Sequence, residues 1–298
     1  MRVNPLYMNN LVESLDATSA SEEQLTEELA SGSRVNQLSD DPVAAGENVL
    51  LSAQLGSDDT FSQTAASTQS MLQVSDSTLS TVVSQLTSAV SLATEANGDT
   101  LNASDLQSIG NQLAGIRDEV VSLANTTYMG QYVFSGSKGT TAPYALNTNS
   151  TPAVAVYQGD SDISYLQTPN GQKIQLNIPG SQIFSAGASN VLGTLNALVA
   201  DFSSGTASPT AEADAQSLSS ALGFVTQQRV LLDNSLSRLQ GAENYTQSEA
   251  TQLTASQTTL LQADVGQVAT HLSTAETQQA ALSQVIATLG KQSLFNDI

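Results

Sequence analysis

Near the end of the chain, apolar residues return at spacings of four and three: Leu261, Val265, Val268, Leu272, Ala275, Gln279, Leu282, Ile286 and Leu289. Eight of these nine positions are apolar, a heptad stripe that predicts a helix needing a second helix to cover it. About 30 residues of such a stripe would extend about 45 Å. A less complete version of the rhythm, Leu11, Leu15, Thr18, Glu22, Leu25 and Leu29, predicts a helix over residues 9–30. Its apolar side is the natural cover for the C-terminal stripe. Glu22 interrupts that side, and Thr18, Ser19 and Ser21 weaken helix propensity, so this helix is expected to be marginal by itself.

Punctuation residues set the next elements. Gly32 suits the left-handed cap of the first helix, and Asp41 before Pro42 suits an N-cap followed by proline at the first helical position. Residues 30–45 therefore read as a shaped loop between two helices, with Arg34 close enough to Asp40 or Asp41 to brace it. A long helix is expected over 42–96, with Leu72, Asp76, Leu79, Val83, Leu86, Val90 and Ala93 in heptad spacing along its second half. After the Asn97-Gly98-Asp99 break, Leu106, Ile109, Leu113, Ile116, Val120 and Leu123 mark the buried face of a third helix over 104–125.

The pattern then changes to short apolar runs separated by Gly159-Asp160, Pro169-Asn170-Gly171 and Pro179-Gly180, which predicts strands. Residues 131–188 read as a small antiparallel β domain inserted between helices. Helix returns over 190–202, then a linker over 203–210, then helix to near Lys291, in whose first part Leu218, Leu222, Val225, Leu232, Leu236 and Leu239 share a face with Arg229, and whose less apolar stretch over 243–256 is expected to bend or shift register. The fold class that emerges is mainly α: a long antiparallel helical or coiled-coil bundle formed by both termini, carrying the β insertion. Its expected divisions are 1–41, N-terminal coiled-coil segment and loop; 42–130, helical core; 131–188, β domain; 189–245, helical core; and 246–298, C-terminal coiled-coil segment.

Composition narrows the function. The chain has 28 Asp and Glu against eight Lys and Arg, a formal net charge of −20, and its basic residues are scattered. Nucleic acid and anionic membrane surfaces are therefore poor partners. There are no cysteines, which excludes disulfides, thiolate metal sites and a cysteine nucleophile. No apolar stretch has the ~20 residues of a membrane span, and the start has no apolar run of leader length, so any export is expected without a cleaved leader.

Catalytic chemistry has no foothold. His271 is the single histidine and falls on the predicted coiled-coil helix, without a second histidine or a cysteine to build a metal or nucleophile site. Asp160 and Asp162 beside Gly159 resemble a fragment of a calcium loop but lack its spacing and late bidentate glutamate, so a polar hairpin turn is the better reading. Neither a phosphate-binding nor a zinc-protease motif is present. The chain is read as not an enzyme, with no catalytic residue, metal or cofactor.

Two stretches carry a resemblance. ASGSRVNQLSDDPVAA, residues 30–45, is similar to the loop signature of the flagellin superfamily's axial proteins, through Ser31, Gly32, Arg34, Val35, Asn36, Ser39, Asp40, Asp41 and Pro42. LANTTYMGQYVFSGSKGTTAPY, residues 123–144, resembles the helix-to-β transition of the superfamily's hook-filament junction branch. The start Met1-Arg2-Val3, the stretch 263–285 and the Ser293-Leu294-Phe295 ending are similar to the ends of that family, while Ser33, Gln37 and Leu38 depart from its usual loop. The resemblance implies a structural protein of the bacterial flagellum, exported unfolded by the flagellar type III apparatus and located outside the cell. The partners it implies are further copies in a ring, flagellin, a sibling hook-associated protein and an export chaperone. The seam residues Leu11, Leu15, Leu25, Leu29, Leu261, Val265, Val268, Leu272, Leu282, Ile286 and Leu289 would then form assembly contacts. Competing readings are a flagellin filament subunit and, more remotely, a secreted enzyme or a type III needle-tip protein.

Overall fold

The computed structural model describes residues 5–98, 101–147, 152–187 and 190–294. Met1-Arg2-Val3, Asp99 and Phe295 lie outside the described residues. Helices α1 (Pro5–Ser31), α2 (Pro42–Ala96) and α3 (Ala103–Ala124) come first, followed by strands β1 (Thr127–Tyr128), β2 (Gln131–Tyr132), β3 (Tyr144–Asn147), β4 (Val154–Tyr157), β5 (Tyr165–Gln167) and β6 (Lys173–Gln175). A short α4 (Gly180–Ile183), then α5 (Val191–Ser203), α6 (Ala211–Leu261) and α7 (Val265–Leu294) complete the chain. The mainly helical class and the antiparallel β insertion agree with the sequence. The chain forms two compact units, one of residues 1–57 with 248–298 and one of residues 58–247.

Residues 58–247 hold most of the buried apolar core. In the second half of α2 the buried positions include Leu72, Ser75, Leu79, Val82, Leu86, Ala89, Ala93 and Ala96, a heptad alternation displaced by one residue from the expected Asp76, Val83 and Val90, which sit partly buried at its edge. Asp76 and Arg229, two polar interruptions of predicted faces, find each other: Arg229 donates from Nε and Nη2 to the two carboxylate oxygens at 2.6 and 3.1 Å. Leu218, Val225, Leu232 and Leu239 of α6 are buried in the same core. Asn102 caps α3 by accepting from the amides of Ser104 and Asp105, and the Asp105 carboxylate accepts from the Asn102 amide in return, a capping box. α3 packs on α5, with Gly110 against the Phe202 backbone, where a side chain would have to displace main chain.

The inserted region is antiparallel throughout. It consists of three separate antiparallel hairpins, β1–β2, β3–β4 and β5–β6, and the first begins at Thr127, ahead of the expected 131. Two-stranded hairpins are marginal in isolation, so side chains supply what absent neighbouring strands do not. Asn125 donates from Nδ2 to the Tyr144 carbonyl at 2.8 Å and accepts from the Tyr144 amide at 2.9 Å, standing in for a strand partner. The Tyr144 hydroxyl donates to the Gly180 carbonyl at 2.9 Å, and its ring meets Phe184 edge-on and Tyr157 at a tilt. Asp160 accepts from the Ser137 hydroxyl and amide and from the Asp162 amide, which holds its carboxyl below the usual carboxylate range. That set of bonds locks the turn.

The helical stretch expected to reach near Lys291, with a bend or register shift over 243–256, is two helices that part farther on, at 262–264. α6 ends at Leu261 and α7 starts at Val265, so Leu261 and Val265 of the predicted stripe stand on different elements. Asp264 is the cause: its Oδ1 accepts from the amides of Gly266 and Gln267 at 3.0 and 3.1 Å, starting a new helix.

Candidate functional site

The loop after α1 and the turn before α7 form one construction within the unit of residues 1–57 and 248–298. Gly32 takes φ +67, the left-handed cap, and its amide bonds to the Glu28 carbonyl at 2.9 Å. The chain can then turn beside Gln262, where Ser33 and Gln262 make an isolated antiparallel bridge. Its backbone bonds run from the Arg34 amide to the Leu261 carbonyl at 2.7 Å and from the Ala263 amide to the Gly32 carbonyl at 3.0 Å. The Ser33 hydroxyl adds a contact of 3.3 Å to the Leu261 carbonyl.

Arg34 clamps both sides. Its Nη1 pairs with Asp41 Oδ2 at 3.0 Å and its Nη2 donates to the Leu260 carbonyl at 3.2 Å, one of the C-terminal carbonyls that α6 leaves without a helical partner. Of the two candidate carboxylates, Asp41 is the ion-pair partner, while Asp40 folds the loop onto itself by accepting from the Asn36 and Gln37 amides at 3.0 and 2.8 Å. Asp41 also caps α2 through the amides of Val43 and Ala44. The Ala44 bond first, then the Arg34 bond, hold the Asp41 carboxyl below its ordinary pKa. Asn36 donates from Nδ2 to the Ser33 carbonyl, and Val35 accepts the Ser33 hydroxyl at its carbonyl. Ser31 accepts the Ser33 amide, whereas Leu38 is exposed and Ser39 and Pro42 lie on the outer surface of the loop. Farther along, Gln257 donates to Asn48 Oδ1 at 2.7 Å and to the Ser52 hydroxyl at 3.0 Å, a tie between α6 and α2 that sequence spacing does not reveal.

From this clamp α1 and α7 run side by side. The Ser33–Gln262 bridge at one end and the Gln279–Ser19 bond of 3.1 Å farther along make the pair antiparallel. Val268 and Ala275 are buried, and Leu11, Leu15, Leu25, Leu261, Leu272, Leu282, Ile286 and Leu289 are half-buried. Val265 is 53% exposed, because it lies in the first turn of α7 after the break, and Leu29 is also on the exposed side. Opposite Ala275 and Gln279 falls Glu22, with Oε1 shut from solvent and no hydrogen-bond donor within reach. Thr18, on the same side, returns its hydroxyl to the Ser14 carbonyl of its own helix.

Little apolar surface is buried in this unit. Among the described residues its buried hydrophobic side chains are Ala44, Ala263, Val268 and Ala275, three of them alanine, whereas ten of the seventeen exposed large hydrophobic side chains among the described residues fall here. Leu6, Tyr7 and Val12 of α1 and Val43, Val49 and Leu50 of α2 are examples. Among the described residues no group of three or more His, Asp or Glu is placed to hold a metal, and no helix is long and apolar enough to cross a membrane.

Residues 3–139 match the family model of the bacterial flagellin N-terminal helical region. Flagellar hook-associated protein 3 of Salmonella typhimurium is 29% identical over 170 residues, covering 57% of this chain and 52% of that protein. The protein of the same name from Escherichia coli is 28% identical over 167 residues, covering 56% and 51%. The chain thus spans about half the length of these relatives. The crystal structure of flagellar hook-associated protein 3 from Legionella pneumophila superposes with a TM-score of 0.61 at 15% identity, over 71% of this chain and 98% of that one, which shows a common fold. The loop motif on which the clamp is built lies inside the matched N-terminal region, and the chain is accordingly similar to bacterial flagellin's N-terminal helical region over residues 3–139 and to flagellar hook-associated protein 3 over about half of its length.

Proposed function

We propose that the chain is a structural junction subunit of the bacterial flagellum that joins the hook to the flagellin filament. The observation that carries this reading is the terminal unit: Arg34 ties the loop after α1 to the end of α6, and α1 and α7 run side by side, yet among their described residues the buried apolar side chains are Val268 and Ala275, while leucines, valines and a tyrosine face outward. A pair of helices built in this way gains most of its burial from neighbours. In this reading the neighbours are further copies in a ring, a sibling hook-associated protein on one side and flagellin on the other. Residues 1–41 and 246–298 serve as the coiled-coil assembly segments, 42–130 and 189–245 as the helical core, and 131–188 as the β insertion. The seam residues then act in assembly rather than in catalysis. The appendage stands outside the cell, and the chain reaches it through the flagellar export route with the help of a chaperone.

Deletion of the gene tests the role. Cells should carry hooks without filaments and should release flagellin into the medium. Filaments of ordinary length on the deletion strain would refute the assignment.

A further inference from the structure

Between the β5–β6 turn and the side of α6, within residues 58–247, lies a cleft of about 250 Å³. Thr168, Asn170 and Gln172 line it from the turn, and Arg238, Tyr245 and Thr246 line it from the helix. None of its lining residues is acidic, in a chain whose net charge is −20. Arg34, Arg117 and Arg229 each pair with an aspartate, whereas among the described residues Arg238 forms no ion pair. Its Nη2 donates to the Lys173 carbonyl at 3.0 Å. That bond orients the planar guanidinium and leaves Nε and Nη1 as unengaged donors.

The polar groups around the arginine are also incompletely used. Asn170 Oδ1 accepts from the Thr168 hydroxyl and, at 3.5 Å, from the Gln172 amide, so Asn170 keeps Nδ2 as a free donor. Thr246 is fully buried, and its hydroxyl is closed to bulk water without a hydrogen-bond partner. Buried hydroxyls are ordinarily bonded, so this one marks a place where a partner is missing. Tyr245, 57% exposed, adds an amphipathic ring to the wall.

We propose that this cleft binds a small sugar acid, with Arg238 on the carboxylate and the neighbouring amides, hydroxyls and Tyr245 ring on the sugar. A guanidinium fork fits the two oxygens of a carboxylate, and the one cation of the cleft matches its one charge. A phosphate monoester carries nearly two charges, and no second cation lines the cleft to meet them. Side-chain amides and hydroxyls both donate and accept, as sugar hydroxyls do. The volume is below the roughly 300–1,000 Å³ of clefts that hold drug-sized molecules, which suits one sugar ring rather than a chain of them.

Titration of the isotope-labelled full chain with sodium D-glucuronate at low ionic strength, followed by NMR, reads the site through the Arg238 Nε–H and the amides of residues 168–172. These signals are expected to move together on one saturable curve. D-glucose, which lacks the carboxylate, should bind roughly 10-fold or more weakly, and Arg238→Gln should weaken glucuronate roughly 10- to 100-fold. Gly241→Leu leaves Arg238 in place; a Cβ there meets no neighbouring atom, so the side chain fills the cleft and should abolish binding. Signals unmoved by glucuronate would overturn the proposal, as would equal affinity for glucose, equal shifts from acetate or inorganic phosphate, or parent-like binding by the Gly241→Leu chain. Signals that move with protein concentration alone, and stop moving in Arg238→Gln, would make the occupant a carboxylate of a second copy and would equally overturn it.

Discussion

Glu22→Leu should strengthen the α1–α7 pair. Glu22 occupies a seam position facing Ala275 and Gln279, with one carboxylate oxygen closed off from solvent and unbonded. An unsatisfied buried acceptor costs about 1–3 kcal/mol, and because the rest of this side chain is partly exposed the lower half of that range applies. Leucine has a helix propensity close to that of glutamate, and its partial burial adds up to about 1 kcal/mol. The net gain is ~1–3 kcal/mol for opening of the pair, which slows amide hydrogen exchange roughly 5- to 150-fold when exchange proceeds through that opening. Exchange measured by mass spectrometry on the full chain should show this slowing over residues 11–29 and 268–289, with amides of the α3–α5 core unchanged. Glu22→Gln, which removes the charge but keeps the shape, should give a smaller slowing. Equal or faster exchange in the leucine variant would refute the reasoning, since it would mean that Glu22 stabilises the seam it interrupts.

The clamp and the β insertion give further expectations. Gly32→Ala meets no neighbouring atom, so its cost is the left-handed φ alone, about 1 kcal/mol, visible as faster exchange at the end of α1. Asp41→Ala removes both the α2 cap and the Arg34 partner; since the folded pKa of Asp41 is lowered, the same contacts in the parent should weaken as pH falls below about 4, and the variant should lack that acid-dependent loosening in residues 30–45. Tyr144→Phe takes the donor from the buried Gly180 carbonyl and should lower stability of the 58–247 unit by about 1–2 kcal/mol in denaturant titration.

Much of this architecture is legible in apolar spacing, because helix packing uses long-range periodicity. Leu72, Leu79, Leu86 and Ala93 of α2 fall in the core where their spacing places them, as do Leu218, Val225, Leu232 and Leu239 of α6. What spacing conceals is set by single polar groups. The break before α7 contains neither glycine nor proline, and its signal is Asp264 three residues ahead of Gln267, a capping pattern hidden within an unbroken apolar rhythm. The β3 strand, Tyr144–Asn147, reads as part of a polar gap because it is paired only with β4 and fixed by Asn125 from outside the sheet. In the loop, the Arg34 to Asp41 brace can be read from proximity and charge. The bonds from Arg34 and Ser33 to the carbonyls of Leu260 and Leu261 cannot, because they join residues more than two hundred positions apart.

The most direct test of the junction role is the position of the protein on the intact appendage. Immunogold labelling of purified hook and filament assemblies, with a tag placed in the β insertion, should give a narrow band of label where the hook meets the filament. Label distributed along the whole filament would contradict the account and make the chain a filament subunit instead.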